Sequence, residues 1–366
     1  MSPKLEELRD ELSALDRQLL DIVRRRTALS LEIGREKQAL GRGTRDFGRE
    51  KVVLERARDA GSALGLPDGL AESLTLHLIQ ASLSVQEQDR ISETGVGAGR
   101  RALVIGGAGK MGRWFVGFLT TQGYEVTVAD PGGTVPGVHC VDDWRDLELD
   151  HDFVIVAAQL NATNTILHEM VERRPTGVVF DVGSLKTPLR TGLLALRDAG
   201  VRVTSVHPMF GPNTNLLSGR HVLFIDLGIT EATEAARSLF LGTMAEQADM
   251  DLETHDELIA FVLGLSHAVN LAFNTALATS GAALPLLARI SSTTFDSQLQ
   301  VSTRVASENP HLYYEIQAHN HYGATSLNAL ARAIDAIREA VHNRDETAFV
   351  EMMLAGRAYV DARDGA

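Results

Sequence analysis

The chain has only one cysteine, Cys140. This excludes an intramolecular disulfide and a cysteine zinc cluster, and it fits a reducing compartment. An excess of positive charge is also missing. The formal net charge is −13, which argues against a nucleic-acid partner, because such a surface needs a basic stripe. The N-terminus, MSPKLEELRDEL, is charged from its fourth residue and lacks the apolar core of a signal peptide, so a cytoplasmic protein is expected. There is no internal repeat, no low-complexity tract and no pattern that suggests a metal site. Residues 258–288 contain no Lys, Arg, Asp or Glu. That length could span a bilayer. Ser266, His267, Asn270, Asn274 and Thr275 recur along it, however, and polar groups are costly in lipid. The expectation is a helix buried in an oligomer core, with no membrane partner.

The chain's 366 residues, 44% of them hydrophobic, suffice for two or three domains. Residues 1–90 read as three helices, about 3–40, 46–64 and 67–90. Apolar residues at 5, 8, 12, 15, 19 and 22 recur in steps of three and four, as a buried seam requires. The next seam position is Arg26, and Lys37 stands near the same stripe. At about 100° per residue these two cations lie only about 20° apart, whereas Arg9 is turned about 100° away. A helix over 3–40 is about 57 Å long, against a radius of gyration of about 12 Å for a 90-residue globule. It therefore needs a partner helix, and an intertwined homodimer is expected. Arg26 and Lys37 can share a pocket, and Arg9 is placed to serve the pocket of the other subunit. Buried cations need anionic partners or an anionic ligand. Residues 1–60 hold 14 Lys/Arg against 12 Asp/Glu, so the rest of the chain carries the negative charge.

Residues 91–100, ISETGVGAGR, read as a linker. From 101 the period changes. RALVIG, YEVTVAD, DFVIVAA, GVVFDVG and VRVTSV alternate with helix-length segments, which marks a parallel α/β sheet. Gly107, Gly109 and Gly112 form G-x-G-x-x-G between a strand and a helix, so this loop, including Lys110 and Met111, is the expected dinucleotide site. Asp130 closes the second strand, where a carboxylate accepts ribose hydroxyls and favours NAD over NADP. Ligands of such sheets lie at the carboxyl ends of strands, where Asp181, Ser184, Lys186 and His207 stand. A histidine near its unperturbed pKa can take a hydroxyl proton while hydride leaves for nicotinamide. After about 230 the pattern returns to helices.

GGAGKMG, GSLKTP, HPMFGP and THDELIAFVLGLSHAVNLAF together resemble the prephenate dehydrogenase family over about 100–360. The resemblance implies NAD-dependent oxidation of prephenate to 4-hydroxyphenylpyruvate with loss of carbon dioxide. It makes His207 the base on the ring hydroxyl with Ser184 beside it, His267 a substrate contact, and Arg304 the holder of a substrate carboxylate. It would also place an arginine eight residues before Arg304, where this chain has Asp296.

The N-terminal set, with Asp46, Arg49 and Glu50 in RDFGRE and Ser82 and Gln86 in SLSVQ, resembles the all-helical chorismate mutase family across 1–90. By that resemblance Arg9 of one subunit and Arg26 of the other bind the two carboxylates of chorismate. Lys37 and Gln86 then contact the ether oxygen, Glu50 holds a hydroxyl, and Asp46, Arg49 and Ser82 complete the shell. The expected architecture is multidomain: an all-α three-helix mutase-like domain (1–90), a linker (91–100), an α/β Rossmann domain (101–230) and an all-α dimerisation and substrate domain (231–366). The expected protein is a bifunctional enzyme of tyrosine biosynthesis. The alternative is a monofunctional NAD-dependent prephenate or arogenate dehydrogenase whose N-terminal helices only mediate dimerisation.

Overall fold

The computed structural model describes residues 3–362. Its elements fall into two compact units. One holds the described residues up to Gly183 together with Thr191–Met250, and the other holds Ser184–Arg190 and the described residues from Asp251 onward.

The first unit begins with α1 (Pro3–Ala39), α2 (Phe47–Ala63) and α3 (Leu70–Glu93). At 1.5 Å per residue α1 is about 55 Å long. It buries none of its residues and leaves Leu5, Leu8, Leu12, Leu15, Leu19 and Ile22 exposed in the single chain. α1 and α2 both pack on α3. Asp46 caps α2 by accepting the Arg49 N–H at 2.9 Å, which satisfies one of the orphan donors of a helix start.

The expected linker is a packed joint. α3 continues to Glu93, and Ile91 belongs to the hydrophobic core of the following sheet. A Cβ at Gly95 or Gly97 would run into the backbone of Gln122 or Tyr124. These glycines therefore serve close approach and not flexibility.

The chain then builds β1 (Arg101–Ile105), α4 (Lys110–Thr121), β2 (Glu125–Ala129), β3 (His139–Val141), β4 (Phe153–Val156), α5 (Leu160–Arg173), β5 (Val178–Asp181), α6 (Arg190–Asp198), β6 (Val203–Pro208), β7 (His221–Ile225), α7 (Thr230–Ser238) and β8 (Glu246–Met250). The strand order is β3-β2-β1-β4-β5-β6-β7-β8. β1 to β6 are parallel, β7 is antiparallel to β6, and β8 runs parallel to β7. Chain order reverses between β1 and β4, which creates the crevice where doubly wound sheets bind ligands. Central strands are buried on both faces, and Phe115, Phe118, Phe153, Phe180, Phe224 and Phe240 fill the core. The sheet corrects the expected boundary at 230. It continues through β7 and β8 to Met250, so the C-terminal helices begin at Asp251 and not at 231. β8, EQADM, has no apolar run to announce a strand.

The second unit contains α8 (Leu252–Ile259), a π-helical turn (Ala260–Leu265), α9 (Ser266–Thr279), α10 (Leu284–Arg289), α11 (Thr293–Ala306), α12 (Pro310–His319), α13 (Gly323–Asn343) and α14 (Glu346–Asp361). Residues Leu252–Thr279 form one helix long and apolar enough to cross a membrane by length and composition. It packs on α11 and, through the π-turn, on α12 and α13. Leu258, Phe261, Val262, Val269 and Leu271 remain exposed in the single chain, so one copy alone does not bury it as the sequence predicts.

Candidate active sites

A cavity of about 310 Å³ lies among α1, α2 and α3, lined by Arg26, Lys37, Asp46, Arg49, Glu50, Ser82 and Gln86 together with Leu29, Ile33, Val53 and Ile79. Seven of the eight polar positions expected here are thus assembled. Arg9 is the exception. Seventeen residues up the same helix, it stands about 25 Å from Arg26 along the axis.

Most of these polar groups are held. Arg26 donates from Nη1 to Ser82 Oγ at 2.6 Å and to the Leu78 carbonyl at 2.8 Å. Lys37 Nζ donates to the Thr44 carbonyl at 2.9 Å, leaving two of its three N–H bonds for a ligand. Gln86 Nε2 donates to Ser30 O and Oγ at 2.7 and 2.8 Å, while its Oε1 is buried without a hydrogen-bond partner. A Cβ at Gly34 would lie 2.8 Å from Gln86 Cγ, so that glycine makes room for the side chain. Asp46 is occupied at the α2 cap and Glu50 by Arg45. The cations Arg26, Lys37 and Arg49 therefore dominate the potential in the cavity, which suits a dianion. Sequence reading missed Ser30, Thr44 and Arg45. Arg45 stands beside Asp46 in RDFGRE, but it precedes the helix, so helical spacing could not place it.

At the sheet crevice, Gly106 adopts φ +80° and donates its N–H to the Ala129 carbonyl at 2.8 Å. A Cβ there would lie 2.7 Å from the Ala157 carbonyl oxygen, and one at Gly112 would overlap Gly106 O. Gly106 was missed because it lies just outside the G-x-G-x-x-G spacing. Gly109 caps α4, and Lys110 and Met111 form its first turn. This is a backbone cradle that a pyrophosphate can approach closely. Asp130 accepts N–H bonds from Ala108 at 2.9 Å and Gly132 at 2.7 Å. It thereby ties the glycine loop to the end of β2, and each oxygen retains a further lone pair for a ribose hydroxyl.

Asp181 and His207 end adjacent parallel strands, and both are buried. Ser205 Oγ donates to Asp181 Oδ1 at 2.5 Å, and Gly183 N–H to Oδ2 at 2.8 Å. Ser205 and His207, two residues apart on β6, share a face of the sheet.

In the second unit Ser184 is half-buried and Lys186 fully buried. The fully buried Asp256 accepts the Lys186 N–H at 2.9 Å, the Thr187 N–H and hydroxyl, and His255 Nδ1–H at 2.7 Å. Burial pushes this carboxyl up, but the donors from His255, Thr187 and Lys186 outweigh it and hold the group below the usual carboxylate range. Gly264, in the π-turn, has its carbonyl satisfied by Gln317 Nε2 at 2.7 Å. Such turns re-aim the helix that follows and recur at functional sites. His267, three residues on, stacks on Tyr313 with ring centroids 4.1 Å apart. Its Nδ1 is buried without a partner, and burial pushes its pKa down. Arg304 is exposed on α11, where it lines a shallow groove with Asp296, Leu299, Gln300 and Thr303. Asp296 accepts a hydrogen bond from Ser291 Oγ.

A cation-rich helical cavity, followed in the chain by a doubly wound nucleotide-binding sheet and then by a helical domain, is the arrangement expected of a fused mutase and dehydrogenase. Comparison with known families agrees with each part. Residues 8–87 match the type II chorismate mutase family, 137–246 the nucleotide-binding domain of prephenate dehydrogenase, and 251–355 the prephenate dehydrogenase dimerization domain. The second match starts after the glycine loop, so the assignment of that loop stands on its geometry. The T-protein of Enterobacter agglomerans is 27% identical over 319 residues, covering 86% of this chain and 82% of the relative. The T-protein of Haemophilus influenzae is 22% identical over 351 residues, covering 95% and 90%. A prephenate dehydrogenase from A. aeolicus, solved with hydroxyphenyl propionate and NAD+, has the same fold as 73% of this chain, with a TM-score of 0.56, 17% identity and 98% of its own length covered. The chain belongs to the T-protein family of bifunctional chorismate mutase–prephenate dehydrogenases.

Proposed function

We propose that the helical cavity rearranges chorismate to prephenate, and that the same chain then oxidises prephenate with NAD to 4-hydroxyphenylpyruvate and carbon dioxide, on the route to tyrosine. The observation that carries the reading is the convergence of Arg26, Lys37, Glu50, Ser82 and Gln86 on one cavity in a chain that also has a dinucleotide cradle.

The rearrangement needs no nucleophile and no proton transfer. The protein must hold the compact conformer and place donors against the charge that develops on the ether oxygen. Arg26, fixed by Ser82, takes one carboxylate. Lys37 meets the ether oxygen with its free N–H bonds, and Gln86 joins it with the N–H that otherwise serves Ser30 Oγ. Glu50 holds a hydroxyl, and Asp46 and Arg49 close the shell. The second carboxylate is met by the partner subunit's Arg9. The exposed leucines of α1 support the homodimer that this requires, as does the match to a dimerization domain.

In the second reaction bound NAD would supply the acceptor for the hydride that leaves the carbinol carbon of prephenate. Gly107, Gly109, Lys110, Met111 and Gly112 would cradle its pyrophosphate, and Asp130 would take the ribose hydroxyls. His207 removes the hydroxyl proton as the carbonyl forms, and the ring then loses its carboxylate as carbon dioxide. By the family resemblance Ser184, His267 and Arg304 serve the substrate, His267 as a neutral imidazole and Arg304 on a carboxylate. The single cysteine suits a cytoplasmic setting. The test is to incubate the protein with chorismate and no NAD. Prephenate should accumulate, and adding NAD should convert it with stoichiometric NADH. Persistent chorismate would reduce the N-terminal helices to a dimerisation module.

A further inference from the structure

The wall of the helical cavity extends beyond its three helices. Arg45 donates from Nε and Nη2 to the two oxygens of Glu50 at 3.0 and 3.1 Å, while its Nη1 donates to Ser218 Oγ at 2.8 Å. The guanidinium also lies 4.3 Å from the centre of the Phe47 ring. Ser218 is outside the mutase helices, in the loop that joins β6 to β7. Its neighbour Leu217 donates its N–H to Glu87 at 2.7 Å, and the other Glu87 oxygen accepts the Met244 N–H at 2.5 Å. Glu87 is fully buried and directly follows Gln86, which lines the cavity. From α4, Trp114 Nε1–H grips the same loop at the Thr214 carbonyl, at 2.9 Å.

Two consecutive loop residues, 217 and 218, are thus bound by two different mutase elements, and each of those elements continues into a cavity residue. The guanidinium is a rigid plane. Its paired bond fixes the Glu50 carboxylate relative to that plane, but two bonds along one edge leave the plane free to swing with the Arg45 stem. The third bond, to Ser218, removes that freedom. The buried Glu87 contact prevents the loop itself from shifting.

We propose that Ser218 is a positioning residue of the mutase supplied by the dehydrogenase sheet, acting through Arg45 to set the orientation of Glu50. The proposal rests on the mutase reading above, in which Glu50 holds a substrate hydroxyl. An interaction with bound substrate that persists unchanged into the transition state appears in KM and leaves kcat alone.

The test follows chorismate consumption by the full chain without NAD, for the wild type, Ser218→Ala, Glu50→Gln and the double variant. Losing one hydrogen bond to the guanidinium should raise KM for chorismate about three- to tenfold and leave kcat within about twofold. In the Glu50→Gln background, where the paired bond is already broken, Ser218→Ala should add nothing. An unchanged KM in Ser218→Ala, or effects that multiply in the double variant, would overturn the proposal while leaving the mutase itself intact. A wild-type chain that does not consume chorismate would overturn both.

Discussion

In the helical cavity the polar groups come from elements close in sequence, and most find their partners within the same three helices and the loop that joins the first two. Arg26 rests on Ser82, Gln86 on Ser30 and Lys37 on Thr44. At the sheet, His207 and Asp181 lie on different strands, and only the strand order brings their ends together. The first site is made by periodicity and the second by topology. A site of the first kind can be perturbed at single side chains with the bundle intact, whereas one of the second depends on the whole sheet.

The sharpest break of this comparison is His207→Asn. Loss of this residue, in its proposed role as general base, should lower NADH formation about 10²- to 10⁴-fold, while chorismate consumption without NAD stays at the wild-type rate. Comparable loss of both activities would mean that the two sites are not separable. Lys37→Ala is the converse. The loss of an electrostatic donor should lower mutase kcat about 10²- to 10³-fold and spare the oxidation of added prephenate. Retained mutase turnover would remove Lys37 from the mechanism.

These predictions also mark what could be read from the residues. Arg26 and Lys37 were legible because helical spacing places side chains on faces before any tertiary contact is known, whereas Ser82 and Gln86 were expected in the cavity from the resemblance of their segment. The glycine loop and His207 were legible because parallel sheets bind at their carboxyl ends. β8 was not, since EQADM becomes a strand only by pairing with β7. Arg45 was not, because its role depends on a turn and on Ser218, 173 residues away. The linker was misread for a related reason, because glycines that permit close packing have the same composition as glycines that permit motion.

The second unit offers a smaller effect with a pH signature. Asp256 is held below its ordinary 3.8 against the opposing push of burial. A carboxyl with a depressed folded pKa contributes stability that is complete above its unfolded pKa and is lost as pH falls through the lower folded value. Asp256→Asn removes that dependence and turns an amide toward N–H donors. It should lower stability at neutral pH by about 3 kcal/mol and flatten the acid limb of unfolding below about pH 4. An acid limb as steep as that of the wild type would show that other carboxylates carry it.

The smallest expected effect separates two roles for one residue. Asp46 lines the cavity and also caps α2. Asn caps a helix about as well as Asp, whereas Ala does so worse by about 1 kcal/mol. Asp46→Asn should therefore melt like the wild type, and Asp46→Ala should melt a few degrees lower. If the carboxylate serves only the cap, Asp46→Asn also keeps its mutase kcat/KM. If its charge orients Arg49 or the substrate in the cavity, Asp46→Asn loses kcat/KM with no loss of stability. The pair of variants thus shows whether a residue that the family resemblance placed in the shell acts on the ligand or on the helix that it caps.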